Sequence, residues 1–310
     1  MRGPADVVTR PGTATRALGT IRYTGRSGDP SVASGALTMD VHLTAPGEPD
    51  AVDVWTTSRP VSVVDGGRVK YAHDGEVALF AARVPRSDRY ADAVERLYTE
   101  LFALTAATGY RELFRVWQYV EDVNGLNADG LEVYQDFCLG RARAFDRHGG
   151  PAAMPAATGV GALGGGISVH LLACREPVRH LENPRQVPAY HYPRRYGPKP
   201  PSFARATRRG DELHLSGTAA IVGHRTVFPG DVAGQCREAL RNVEALLDAP
   251  ADLAGLDRIK VYVRRAEDVE EVRRQCLRAF PAGADIAFFV VDLCRPDLLV
   301  EIEGTWSPVR

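Results

Sequence analysis

The stretch LCRPDLLVEIEGTW, residues 293–306, places two carboxylates near the end of the chain. Leu298, Val300 and Ile302 alternate there with Leu299, Glu301 and Glu303, the pattern of a strand whose side chains point to opposite faces with period two. Val300 and Ile302 therefore share one face, and Leu299, Glu301 and Glu303 the other. A carboxyl group in a poorly hydrated pocket, with a second carboxylate about 7 Å along the strand, is biased towards its protonated form and can act as a general acid. Read from these residues alone, a solvated strand face is the simpler account.

A second stretch concentrates the opposite charge. RRYGPKPPSFARATRR, residues 194–209, holds Arg194, Arg195, Lys199, Arg205, Arg208 and Arg209 and no acid, in a chain whose net charge is −1. Guanidinium groups clamp carboxylates bidentately, so the segment reads either as an anion-binding element or as a solvated linker. Next to it, LSGTAAIVG (215–223) supplies Ser216, Gly217, Thr218 and Ala219. Such small side chains allow a ligand, or another strand, to approach the backbone closely.

The bulk composition narrows the field. The chain has 310 residues, 45% hydrophobic and 25% charged, enough for two globular units of about 150 residues each. Near-neutral net charge argues against a general nucleic-acid binder or a membrane-surface protein. No run of about 18 apolar residues marks a membrane span. The first twenty residues carry no secretory signal pattern and are expected to be a loose tail, in a cytoplasmic protein. Five cysteines (Cys138, Cys174, Cys236, Cys276 and Cys294) form no CxxC pair and are expected to be reduced and mostly buried. The eight histidines show no HxH or HExxH pattern, so no metal site is expected. GALGGG (161–166) lacks dinucleotide-fingerprint spacing and precedes an apolar strand.

The elements that must position these residues occur twice. Residues 91–145 and 232–280 each open on an amphipathic helix, marked by Val94, Leu97, Leu101 and Leu104 or by Cys236, Leu240, Val243 and Leu247. A short apolar strand follows, LFRVWQYV (113–120) or RIKVYV (258–263). Then comes an acidic opening, Glu121-Asp122 or Glu267-Asp268, and a second helix ending in FCLGRARAF or QCLRAF. Asp122 and Asp268 either cap those helices or lie in the loops before them. Upstream, 68–84 matches 212–228; downstream, 165–174 matches 285–294 and 179–183 matches 299–304. Each half thus reads β-β-α-β-α-β-β, an α+β plan with helices on one face of a mixed sheet. The Pro-rich run at 184–200 separates the halves. The expected division is a tail over 1–20, a degenerate first domain over 21–185, and a second domain over 186–310 carrying most of the site.

VEIEG after a P-x-LL turn resembles the closing strands of the YjgF/RidA family, whose fold is chorismate-mutase-like. A tandem fusion of two such units resembles the chorismatases. The segments that carry this are 181–198, PSFARAT (201–207), LSGTAAIVGH (215–224) and CRPDLLVEIEGTW (294–306), with GVGALGGGISV (159–169) and FCLGRARAF (137–145) adding to it. The resemblance covers the chain from about residue 50 onward. Imine-hydrolysing RidA members place an arginine fifteen residues before the glutamate that matches Glu301; here that position is Ile286. A deaminase reading loses its carboxylate anchor.

The resemblance implies release of pyruvate from chorismate, with Glu301 matching the family's catalytic glutamate and protonating the enolpyruvyl methylene. It also implies cationic ligands for a dianionic substrate: Arg205 first, Arg141 of the CLGRARAF helix second, with Tyr196 as a hydrogen-bond donor. Gly217, Thr218 and Ala219 would line the pocket. In the 3-hydroxybenzoate-forming group a pocket cysteine stands seven residues before the glutamate, the spacing of Cys294 here. That implies an intramolecular path through an arene oxide; the alternative product is a trans-dihydroxycyclohexadiene carboxylate. A RidA-like imine or enamine deaminase and a non-catalytic binding protein are the rival readings. The conversion is redox-neutral and demands no cofactor. Chorismate is the expected small-molecule partner, with no nucleic acid or membrane, in a monomer or weak homo-oligomer.

Overall fold

The computed structural model describes residues 15–33, 35–46, 51–247 and 252–307. Four strands come first, β1 (Arg16–Thr24), β2 (Ser31–Ala33), β3 (Ala36–His42) and β4 (Ala51–Thr57), in a sheet of order β2-β3-β1-β4. The tail expected over 1–20 is corrected here: residues 1–14 lie outside the described residues, and the chain is strand from Arg16 onward. A bulge between Ala17 and Gly19 breaks the alternation of β1, which is why the strand carries no clean period-two signal.

The next eight elements are β5 (Ser62–Gly66), β6 (Val69–His73), β7 (Val77–Val84), α1 (Ala91–Thr108), β8 (Glu112–Glu121), α2 (Val133–His148), β9 (Ala156–Ala162) and β10 (Ile167–Cys174). Their sheet runs β5-β6-β7-β10-β8-β9. Then follow β11 (Arg179–Leu181), β12 (Ala206–Arg209), β13 (Glu212–Ala219), the small hairpin β14 (Ile221–Val222) and β15 (Arg225–Thr226), α3 (Val232–Glu244), β16 (Leu256–Val263), α4 (Val269–Ala279), β17 (Ile286–Val290) and β18 (Val300–Trp306). The second sheet runs β11-β12-β13-β18-β16-β17, the same order as the first. In both, one pair is parallel (β8 with β9, β16 with β17) and the other ladders are antiparallel. The expected tandem α+β plan, two units each with helices on one face of a mixed sheet, is therefore present in the fold.

Each six-stranded sheet has one strand more than the five expected, the second unit adds the β14–β15 hairpin, and the two halves align in a different register from the one expected. β9 and β17 correspond, as do β10 and β18, so 165–174 is the counterpart of β18 and not of 285–294. The strand whose omission shifts the match is β9, whose sequence AATGVGA is mostly Ala and Gly and carries little strand propensity; β5 and β12 also lie outside the expected strands. Arg179–Leu181, read as closing the first unit, pairs with β12 in the second sheet, so the change of sheet falls between Cys174 and Arg179 and not at 185. The upstream match shifts likewise: β12–β13 correspond to β6–β7. Asp122 lies in the loop before α2, which begins after Glu132, and Asp268 precedes α4 without a side-chain capping bond.

Helices cover one face of each sheet. Val94, Leu97 and Leu101 of α1 pack on Val116 and Leu171, and Cys236, Ala239 and Val243 of α3 pack on Val261, Val300 and Ile302. The opposite faces of both sheets share a third core with the N-terminal sheet, where Ile21 and Met39 meet Trp117, Tyr119, Tyr262 and Phe289. The two units meet along β9 and β13. Ala156 N–H donates to Thr207 Oγ1 (2.8 Å), Ala157 N–H to Ser216 Oγ (2.8 Å), and Gly217 N–H to Thr158 Oγ1 (3.0 Å). Strand-to-hydroxyl bonds thus replace a regular ladder at this seam.

Candidate active site

A cavity of about 330 Å³ opens at the seam. The first unit contributes Tyr134, Cys138 and Arg141 from α2 and Gly159 from β9; the second contributes Gly217 and Ala219 from β13 and Glu301 from β18. The segment between them supplies Tyr192, Tyr196 and Arg205, and the β17–β18 loop supplies Cys294 and Arg295. Both units are needed to enclose it.

Period two places Glu301 and Glu303 as read from the sequence: Val300 and Ile302 enter the α3–α4 core, and both carboxylates point away from it. Neither is solvated. Glu301 is 4% exposed and Glu303 is 2% exposed. Their surroundings differ. Glu303 accepts from Arg115 Nη2 (2.7 Å), Trp117 Nε1 (2.7 Å) and Thr158 Oγ1, and lies 3.2 Å from Lys260 Nζ. Burial opposes its ionisation, but Arg115 and Lys260 win, and its pKa is lowered. No hydrogen bond from the described residues reaches the Glu301 carboxyl group. Burial first, and the Glu303 charge second, push its pKa up to about 8 against the opposing pull of Arg115 and Arg205. One carboxyl is thereby kept neutral beside one kept charged.

Glu301 has room because of a local irregularity. The β13–β18 ladder shifts register between Leu215 and Thr218, and Gly217 occupies the bulge. A Cβ on Gly217 would stand 1.8 Å from Glu301 Oε1, so the carboxyl group rests on a bare Cα. Ala219, the register partner of Glu301, also faces the cavity. Thr218 does not line it: the alternation turns its side chain away, and its hydroxyl donates to Ser216 O at 2.8 Å.

Two arginines in the wall are buried and form no salt bridge among the described residues, although Arg205 stands within electrostatic reach of Glu182 and Glu301. Arg141 stacks on Tyr98 and Phe145 and donates from Nη1 to Ser202 O, but its Nε and Nη2 have no acceptor. Arg205 donates from Nη2 to Val187 O (3.0 Å) and Tyr192 Oη (2.7 Å), and its Nε has no acceptor. Buried guanidinium N–H groups without acceptors are costly, and a bound anion removes that cost. The rest of the basic cluster is divided. Arg195 reaches the cavity rim, Lys199 pairs with Asp146 (2.7 Å), and Arg209 pairs with Glu212 (3.5 Å).

Tyr196 lines the cavity with its ring, but its hydroxyl donates to His224 O (2.7 Å) and accepts from Arg195 Nη2 (3.1 Å). The β14–β15 hairpin brings that carbonyl within reach, so the donor expected for a ligand is engaged by the protein. Cys294 lies in the wall as a free thiol, and burial together with Glu301 pushes its pKa up, which keeps it uncharged.

Several residues of the site escaped the sequence reading. Arg295 spans Tyr192 and Tyr196, 5.0 and 4.0 Å from their ring centroids, and donates to His224 O. Arg115 and Lys260 sit inside the apolar runs LFRVWQYV and RIKVYV, where a cation in a central strand was the available signal. Arg264 holds the cysteine-bearing loop through Leu298 O (2.7 Å), Leu293 O (3.1 Å) and Arg295 O (2.8 Å).

Comparison with known proteins bears on this geometry. Residues 53–173 match the family model described as "Chorismatase FkbO/Hyg5-like, N-terminal". The chain is 44% identical to a 3-hydroxybenzoate synthase of Streptomyces hygroscopicus, over 97% of this chain and 94% of that protein. It is 42% identical to a chorismatase of Streptomyces rapamycinicus, over 93% of this chain and 91% of that one. A crystal structure of a chorismatase superposes with a TM-score of 0.92 at 43% identity, covering 98% of this chain and 96% of the other. With near-complete coverage of proteins of this kind in sequence and in fold, the chain belongs to the chorismatase family.

Proposed function

We propose that this chain is an enzyme that converts chorismate into 3-hydroxybenzoate and pyruvate. The carrying observation is the Glu301 carboxyl group, buried with no hydrogen-bond donor among the described residues in a cavity that also holds two acceptor-poor arginines; burial and the Glu303 charge push its pKa up to about 8. At neutral pH such a group is an acid with a proton to give. Chorismate offers an enol ether whose terminal methylene takes a proton, and two carboxylates that suit Arg141 and Arg205.

Proton transfer from Glu301 to the methylene carbon makes the ether oxygen part of an oxocarbenium group. The C–O bond to the ring then breaks, and its electron pair leaves with pyruvate. The neighbouring ring hydroxyl attacks the same ring carbon and loses its proton, which restores the acid. The arene oxide so formed isomerises to the hydroxybenzoate; no water is consumed and no redox equivalent is needed. The enclosed cavity favours this internal attack over hydrolysis. The relative named 3-hydroxybenzoate synthase, and Cys294 in the wall beside Glu301, support this product over the dihydroxycyclohexadiene carboxylate. Ile286 packs on the apolar core of the second unit, where it supplies no charge for a deaminase substrate.

No described helix is long and apolar enough to cross a membrane. The five free thiols support a cytoplasmic location, and a cavity enclosed by one chain supports action as a monomer or weak homo-oligomer. The test is incubation of the pure protein with chorismate, with pyruvate read by a coupled dehydrogenase assay and the aromatic product by chromatography. Stoichiometric pyruvate and 3-hydroxybenzoate support the proposal; pyruvate with the dihydroxy acid moves the chain to the hydrolase group; no pyruvate rejects it.

A further inference from the structure

Thr158 lies in β9, outside the wall of the cavity, and is fully buried. Its hydroxyl stands at a junction of three groups from three strands. It accepts from Arg115 Nη2 of β8 (2.7 Å) and from the Gly217 backbone N–H of β13 (3.0 Å), and it donates its proton to Glu303 of β18. Every hydrogen-bonding capacity of the hydroxyl is therefore used. The Gly217 amide is the one belonging to the residue on which the Glu301 carboxyl group rests.

We propose that Thr158 is a positioning residue: anchored by the Arg115–Glu303 ion pair, its hydroxyl pins the Gly217 bulge across the seam between the two units and so sets the Glu301 carboxyl group in place. The proposal rests on the general-acid role assigned to Glu301 above. Two physical consequences follow. A bulge leaves its backbone without regular ladder partners, and Thr158 supplies the missing acceptor from the other unit. The same bond keeps the bulge closed against the Glu301 carboxyl group, so the group stays out of water and its acid form is favoured. Among the described residues, the charged or titratable groups around Glu301 are Glu303 on its own strand, Tyr262 opposite it on β16, Arg115 on β8, Arg205 before β12, Cys294 in the β17–β18 loop and Tyr134 on α2.

The test compares Thr158→Val, which keeps the shape and removes the hydroxyl, with Thr158→Ser, which keeps the hydroxyl. Thr158→Val is expected to lower kcat about tenfold with KM within about twofold, and to move the basic limb of the kcat profile to lower pH. Thr158→Ser is expected to restore both. Circular dichroism and thermal melts check that both variants are folded. A Thr158→Val enzyme with unchanged kcat and pH profile, or a Ser variant as impaired as the Val variant, overturns the proposal. Titration of the carbon-13-labelled Glu301 carboxyl group, assigned with Glu301→Gln, reads the same effect without turnover. If the wild-type protein releases no pyruvate, the functional reading fails, while a lower carboxyl pKa in Thr158→Val than in wild type and Thr158→Ser still supports Thr158 as its positioner, and equal values in all three reject it.

Discussion

Arg115 and Glu303 meet at 2.7 Å with both side chains 2% exposed, one from the first sheet and one from the second. Breaking a buried pair by removing one member leaves an uncompensated charge and costs about 3–5 kcal/mol. Glu303→Gln is therefore expected to lower the unfolding free energy by that order in urea titrations. It also removes the negative charge that raises the Glu301 pKa, so the basic limb of the activity profile shifts to lower pH in the same variant. A fully stable variant with an unmoved limb contradicts both roles.

The pH dependence of the wild type has a definite sign. In the proposed reaction Glu301 gives up a proton, and burial with the Glu303 charge pushes its pKa up to about 8. Activity is expected to be level below that value and to fall about tenfold per pH unit above it. Glu301→Gln should be inactive with its fold retained. A rate that rises through pH 8 assigns the essential proton to another group.

The same shift affects stability. A carboxyl whose folded pKa lies above its unfolded value contributes fully below the unfolded pKa, and that contribution is lost as pH rises towards the folded one. Between about pH 4.5 and 8, burying Glu301 becomes progressively unfavourable. Relative to wild type, Glu301→Gln is expected to gain thermal stability as pH is raised from 5 to 8, by an amount on the order of a few kcal/mol. Parallel Tm curves for the two proteins across that range would show that the group is not shifted in the fold.

Gly217→Ala isolates the space beneath the acid. The added methyl would stand 1.8 Å from Glu301 Oε1, and the flexible carboxyl end must move away. The expected outcome is a loss of kcat of about a hundredfold with modest change in melting temperature, since a misplaced reacting group is costly in rate. Wild-type kcat in Gly217→Ala would mean that Glu301 works from another position.

Arg205→Met and Cys294→Ala separate binding from product choice. Losing one charge-assisted clamp on a carboxylate is expected to raise KM about ten- to a hundredfold for Arg205→Met. Cys294→Ala enlarges the wall beside Glu301 and is expected to raise the share of the dihydroxycyclohexadiene carboxylate as water gains access. Chromatography of the products reads that ratio, and an unchanged ratio removes Cys294 from the choice between them.

The local sequence was sufficient where one periodicity acted alone. Alternation in β18 placed Glu301 and Glu303 on the face opposite Val300 and Ile302, and helical spacing identified α1 and α3. It failed where composition hid the element: the Ala- and Gly-rich β9 and the bulged β1 carried too little strand signal, and the three-residue β11, legible as a strand, belongs to the second sheet and not to the first, so the repeat slipped by one strand.

What makes two glutamates of one strand different was decided only by the tertiary structure. Arg115 lies 188 residues before Glu303, and Lys260 approaches Glu303 from the neighbouring strand of its own sheet; together they hold it as an anion. Glu301 receives no such donor and rests on the bare Cα of Gly217. Sequence spacing determines which face a side chain takes, because strand geometry repeats locally. The charge a carboxyl group carries depends on the water it loses and the partners it gains, and distant parts of the chain supply both only once they have packed.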